Sequence, residues 1–230
     1  MIPIQDTQPS RHVPVVTWLL IGLNSLAFFY ELSLTPRELE LFLQLVGMVP
    51  ARIASDPTAL WTMLSSMFFH GGWMHFLGNM WTLYLFGDNV EDRLGPVHYL
   101  LFYLLCGLAA GWAQFAAQPN SPLPAIGASG AIAGVLGAYF VMFPTATIIT
   151  LVPVFFLPLF LEVPAVVYLG VWFLTQLFSG VLSLSGAPQM GGVAWWAHIG
   201  GFVAGLLLLP VLKLPARQYR EHYADEYWPW

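Results

Sequence analysis

Apolar residues run along the chain in long blocks: no Asp, Glu, Lys or Arg stands between Arg93 and Glu162, and none between Glu162 and Lys213. Blocks of that length are too long for the core of a soluble protein of 230 residues, so the chain is read as lying in a bilayer. A bilayer core of about 30 Å takes roughly 20 apolar helical residues. Dividing the sequence at that length, and at its charges and Gly/Pro clusters, predicts six spans over residues 13–30, 73–86, 97–118, 129–143, 163–182 and 193–212. The expected fold class is an all-α polytopic membrane protein with a short fourth helix. Its six-span domain covers 13–213, between a cytoplasmic N-terminal segment 1–12 and a cytoplasmic tail 214–230.

The connections differ in character. Residues 31–72 mix Glu31, Arg37, Glu38, Glu40, Arg52 and Asp56 with Leu41, Phe42 and Leu45, which predicts a folded, half-immersed loop. The second connection is short and charged (Asp88, Glu91, Asp92, Arg93), the third, 119–126, is rich in Pro, and the fifth, 183–192, has the Gly, Ser and Pro content of a mobile loop. Residues 147–161 are apolar, but they number too few for a span and carry Pro153 and Pro158, so they read as interfacial or re-entrant. With six spans both termini share one side. That side holds Arg11, Arg93, Lys213, Arg217 and Arg220 against Arg37 and Arg52 opposite, which places the termini in the cytoplasm of a cell-membrane protein.

Composition narrows the partners. Seven basic and twelve acidic residues give a net charge of −5 with no basic run, which argues against nucleic acid. The single cysteine, Cys106, sits in an apolar run and reads as a small core residue. Residues 1–12 show neither a basic region ahead of an apolar stretch nor a small-residue cleavage site, so the first span is expected to act as its own insertion signal.

Polar and ionisable residues within spans are costly, and each is a functional hypothesis by default. His75 and Asn79 lie four apart on one face of the second span. Ser129 opens the fourth inside Gly127-Ala128-Ser129-Gly130, and His198 lies early in the sixth inside Ala197-His198-Ile199-Gly200-Gly201. All three spans run inward from the outer face, so the four residues share a depth; a seventh span at 147–161 would invert the last helix and move His198 away. Gly130, Ala133, Gly134 and Gly137 on the fourth span, with Ala197, Gly201 and Gly205 on the sixth, permit close helix packing. A hydroxyl against an imidazole is the minimal unit of nucleophilic catalysis. No acidic residue lies at this depth to complete a triad, so a Ser129–His198 dyad is expected. The N–H groups of Ala128 and Ser129 and the side chains of His75 and Asn79 suit an oxyanion hole. No metal or other cofactor is expected, since His70 and His75 are five apart across Gly71-Gly72 with no acidic neighbour. His12, His98 and His222 lie near charged segments, and Glu162 near a helix start; none is assigned chemistry.

These motifs together resemble the rhomboid family of intramembrane serine proteases. The resemblance covers nearly the whole chain and rests on His70, His75 and Asn79, on Gly127-Ala128-Ser129-Gly130, and on Ala197-His198-Ile199-Gly200-Gly201 with Gly205. It implies six helices around a short fourth one, with Ser129 as nucleophile and His198 as base. It further implies His75 and Asn79 in the oxyanion hole, and single-pass transmembrane substrates that enter past the second and fifth helices while the 183–192 loop lifts. Two positions depart from the family pattern: Trp61-Thr62 stands where rhomboids often carry Trp-Arg, and Ala133 where some carry an aromatic residue that stacks on the histidine. The expected activity is cleavage in or beside transmembrane segments near the outer face. The alternative is a catalytically silent rhomboid-like protein that binds transmembrane helices.

Overall fold

A computed structural model describes residues 2–154, 157–184 and 193–212. The chain begins with strand β1 (Ile2–Asp6) and helix α1 (Val15–Leu32). A folded connection follows, made of α2 (Pro36–Val46), α3 (Pro50–Ser55), a 3₁₀ turn (Pro57–Trp61), the single turn α4 (Thr62–Ser65) and a second 3₁₀ turn (Ser66–Phe68). Then come α5 (Trp73–Leu94), α6 (Pro96–Ala117), α7 (Ser129–Met142), the strands β2 (Thr147–Val154) and β3 (Leu157–Pro164), α8 (Ala165–Leu184) and α9 (Trp195–Leu212). Among the described residues four helices, α1, α6, α8 and α9, are long and apolar enough to cross a membrane, and α7 is a shorter apolar helix.

The first connection is folded, as its mixed composition indicates. Thr35 and Glu38 form a capping box that starts α2, with Pro36 in the first turn. The Thr35 hydroxyl bonded to Glu38 holds that exposed carboxyl below its usual pKa. Arg52 of α3 donates to the carbonyls of Gln44 and Gly47 at the C-terminal end of α2, where the helix leaves acceptors unsatisfied. An arginine therefore does brace this loop, from position 52. Thr62, at the family's arginine position, is buried and donates to the Ala59 carbonyl at 2.7 Å.

α5 continues through the residues that read as a charged connection and stops at Gly95, whose φ of 74° lies in the left-handed region; Pro96 then starts α6. The continuation has a structural consequence. Glu91, buried in the last turns of α5, accepts the Val16 N–H at 2.9 Å, the Thr17 N–H at 2.8 Å and the Thr17 hydroxyl at 2.8 Å. It thus caps the first turn of α1, where Pro14 offers no capping side chain.

The expectation of an all-α protein is corrected by a three-stranded antiparallel sheet in the order β1-β2-β3. The segment read as interfacial or re-entrant forms strands β2 and β3: Thr147 pairs with Pro164 and Val154 with Leu157, and β3 takes the first residues of the expected fifth span. The N-terminal segment adds the third strand, from Ile2 opposite Leu151 to Asp6 opposite Ile148. The reason is local. Thr147, Ile148, Ile149, Thr150 and Val152 are β-branched and suit a pleated surface, while Pro153 and Pro158 face each other near the hairpin's far end.

α7 is the centre of the helical assembly. Residues 130–139 are all buried, as befits a helix that is apolar on every side, and α5, α6, α8 and α9 pack around it. Its contact with α9 is backbone against backbone. A Cβ on Gly201 would overlap the Gly130 carbonyl oxygen, one on Gly205 the Gly134 carbonyl oxygen, and one on Gly137 the Phe202 carbonyl oxygen. Gly130 and Gly134 also meet Ala110 and Cys106 of α6, which packs against α9 as well. Cys106 is buried at that contact. All but the first two residues of the 183–192 connection lie outside the described residues, as do the 214–230 tail and Lys213, Arg217, Arg220 and His222.

Candidate active site

Ser129 is the first residue of α7, and the chain reaches it through a pinned turn. Met48 and Ala125 exchange two backbone hydrogen bonds (3.1 and 2.8 Å), and the Gly127 N–H donates to the Ser66 carbonyl at 2.9 Å, so the first connection holds the segment ahead of the serine. Gly127 has a φ of 119°. A Cβ there would lie 2.5 Å from His75 Nε2 and 3.5 Å from Asn79 Nδ2, so glycine is needed for both its backbone angle and its closeness to α5.

Close packing of α7 on α9 brings the serine to the histidine: Ser129 Oγ and His198 Nε2 are 2.9 Å apart. His198 Nδ1 is 2.8 Å from Gln176 Oε1 on α8. The imidazole is also flanked by two rings. Trp172, one turn before Gln176 on α8, lies 6.0 Å from it at 31°, and Trp195 lies 6.1 Å from it at 85°. The aromatic neighbour absent at Ala133 is therefore supplied from α8 and from the start of α9.

His75 and Asn79 converge on the same turn from α5. The Gly71 N–H donates to His75 Nδ1 over a long 3.4 Å, which leaves the proton on Nε2, the nitrogen that faces Gly127. Asn79 Nδ2 is a buried donor with no acceptor among the described residues. Buried donors are almost always paired, and one held open beside Gly127, two residues ahead of the serine, suits a group that receives its acceptor during reaction. His70 stands behind His75, with ring centroids 5.1 Å apart, and its backbone N–H is held by the Glu31 carboxylate at 3.0 and 3.2 Å. Its ring is buried and also packs edge-on against Phe28 and Phe76. A cavity of about 30 Å³ beside Ser129 and Gly127, lined also by Ser66 and Ala197, has room for a water molecule. A far larger cavity of about 560 Å³ lies between Asp6 and Trp81, at the opposite end of α7.

Among the described residues no three His, Cys, Asp or Glu side chains gather as metal ligands would. The residue that sequence reasoning missed is Gln176. Its signal was available, since an amide in the apolar fifth span is costly unless partnered, but a search for an acidic third member passes over a neutral one.

Fold and site together define a membrane protein whose α5, α7 and α9 bring a serine, two histidines and an asparagine to one end of a helical assembly. Residues 57–214 match the Rhomboid domain, and the chain belongs to the rhomboid family, which includes serine intramembrane proteases. It is 34% identical over 164 residues to RHOMBOID-like protein 4 of Arabidopsis thaliana, covering 71% of this chain and 35% of that one. To Rhomboid protease GluP of Bacillus subtilis (strain 168) it is 34% identical over 126 residues, covering 54% and 24%. To Rhomboid protein 1, mitochondrial, of Saccharomyces cerevisiae it is 28% identical over 203 residues, covering 85% and 53%. The chain thus spans from about a quarter to about half the length of these relatives.

Proposed function

We propose that this chain is an intramembrane serine endopeptidase that cleaves peptide bonds in or beside the transmembrane segments of single-pass proteins, near the outer face of the cell membrane. The observation that carries the reading is the Ser129–His198 contact of 2.9 Å at the end of a buried helix. In this reading α1, α5, α6, α7, α8 and α9 span the bilayer and both termini are cytoplasmic, which the distribution of Arg and Lys supports.

The chemistry follows from the contacts. His198 Nε2 takes the Ser129 proton as Oγ attacks the scissile carbonyl carbon, and the developing oxyanion is met by the Ser129 N–H, His75 Nε2–H and Asn79 Nδ2–H. When the C–N bond breaks, the amine leaves with the proton from His198. Water then attacks the acyl-enzyme, giving its proton to His198, and the Ser129 oxygen recovers it as the carboxylic product departs. Substrates with small, helix-weakening residues near the bond are favoured, because an intact helix keeps its carbonyls in internal hydrogen bonds.

The test is a purified protein with transmembrane substrates. Ser129→Ala and His198→Ala each abolish cleavage, the double variant is no worse, and a serine-directed fluorophosphonate labels Ser129. Undiminished cleavage by Ser129→Ala overturns the assignment. A wild type that binds transmembrane helices without cutting them establishes the silent binding protein instead.

A further inference from the structure

Gln176 has hydrogen-bond partners at both ends of its amide, and they fix one orientation. Its Nε2 lies 3.0 Å from the Trp172 carbonyl oxygen and 2.9 Å from Thr175 Oγ1. The Thr175 hydroxyl already gives its proton to that same carbonyl, at 2.6 Å, so both neighbours at this end of the amide are acceptors. Only an amide nitrogen fits there, and the carbonyl end, Oε1, must face His198 Nδ1 at 2.8 Å. Oε1 can only accept, so Nδ1 carries the proton of the neutral ring, and Nε2 presents its lone pair to Ser129.

We propose that Gln176 is the positioning residue of the dyad, a neutral third member that locks His198 in the tautomer able to take the Ser129 proton. The proposal rests on the peptidase reading for its kinetic consequence but not for the tautomer itself. In the opposite tautomer Nε2 carries a hydrogen and has no lone pair with which to act as a base. The lock comes from α8, whose buried positions in the membrane-facing assembly are Ala165, Leu169, Gln176 and Gly180. Gln176 is the only one of these four with a side chain that can hydrogen-bond, and Trp172 on the preceding turn flanks the same ring. A neutral amide supplies orientation without a buried charge, which an apolar surrounding would penalise.

The experiment uses the full chain in lipid nanodiscs with three variants. Gln176→Leu and Gln176→Met keep the bulk and remove the amide acceptor, whereas Gln176→Glu, in its protonated form, keeps an acceptor oxygen for Nδ1 and an O–H donor toward the Trp172 carbonyl. The first two lower kcat about 10- to 100-fold with KM unchanged, a part of what a general base supplies, and Gln176→Glu recovers most of it. Separately, ¹⁵N spectra of histidine-labelled protein show a protonated Nδ1 and an unprotonated Nε2 for His198, replaced by averaged nitrogen shifts in Gln176→Leu or, should that variant fail to fold, in Gln176→Met. Wild-type kcat in a folded acceptor-less variant, or nitrogen shifts that the substitution leaves in place, overturns the proposal. If the wild type cuts no substrate, the peptidase reading fails while the spectra still decide whether Gln176 sets the tautomer.

Discussion

Gly201 and Gly130 meet without a side chain between them, so the separation of α9 from α7, and with it the 2.9 Å contact of His198 with Ser129, is set by two backbones. Gly201→Val would drive Cβ onto the Gly130 carbonyl oxygen and push the helices apart. Overpacking of this kind costs about 1–3 kcal/mol, and an approach loosened by about 1 Å can cost about 10²-fold in rate. The expected result is a lower melting temperature and, in conditions where the variant is folded, a severe loss of cleavage. Val203→Leu, at a partly exposed position of α9, is the tolerated control. Full activity and stability in Gly201→Val would refute this account of the packing.

Asn79 tests the oxyanion hole separately from the dyad. Its amide nitrogen is buried, unpartnered and close to Gly127. Asn79→Ala therefore removes a donor that the resting protein does not use, and the protein stays folded. Loss of one such donor typically slows turnover about 10²–10³-fold. Fluorophosphonate labelling and substrate turnover, measured together, check this: a rate equal to wild type across several substrates would make Asn79 structural only.

Glu91 ties the end of α5 to the start of α1 through three hydrogen bonds. Removing the acceptor strands the buried donors it holds, which costs about 1–3 kcal/mol each. Glu91→Ala should lower stability by about 3 kcal/mol while leaving the arrangement of Ser129 and His198, on other helices, in place. A thermal unfolding midpoint in nanodiscs equal to wild type would show that water replaces the cap without loss.

Much of this structure was legible in the sequence wherever one segment carried the whole signal. The Gly-Ala-Ser-Gly run, the two polar residues four apart at 75 and 79, and the glycines at 201 and 205 each speak through local spacing; the structure sets His75 and Asn79 against the turn at Gly127 and the two glycines against Gly130 and Gly134 of α7. The sheet was not legible in that way. β1 pairs with a strand more than a hundred residues away, so its partner is invisible to any local period, and the two prolines of the hairpin masked its β-branched residues. Gln176 failed for another reason. Its role comes from the two acceptors on its own helix, Trp172 and Thr175, that orient the amide, and such an orientation emerges only once α8 is set against α9.

Tyr139 and Asp6 join the N-terminal strand to the end of α7 remote from the site, with the phenol donating to Asp6 Oδ2 at 2.5 Å. Burial raises the Asp6 pKa above 3.8, and the Tyr139 hydrogen bond opposes that rise. A carboxyl with a raised folded-state pKa stabilises the fold below its unfolded value and loses that contribution as pH climbs through the folded value. Tyr139→Phe removes the opposing bond, so the Asp6 pKa climbs further and the loss at neutral pH grows. Because Asp6 is half-buried, the cost is about 1–2 kcal/mol. The difference between the two proteins should be largest at neutral pH and shrink as pH falls and the carboxyl becomes protonated in both. The ring itself stays, edge-on to Phe86 at 5.0 Å, so packing is kept. Ser129 begins α7 ten residues earlier, about 15 Å along the helix, and cleavage by the folded variant should match wild type. Unfolding midpoints across pH check the first expectation and turnover the second; a stability gap that stays constant with pH would mean that the Tyr139 hydroxyl acts by packing and not through the charge of Asp6.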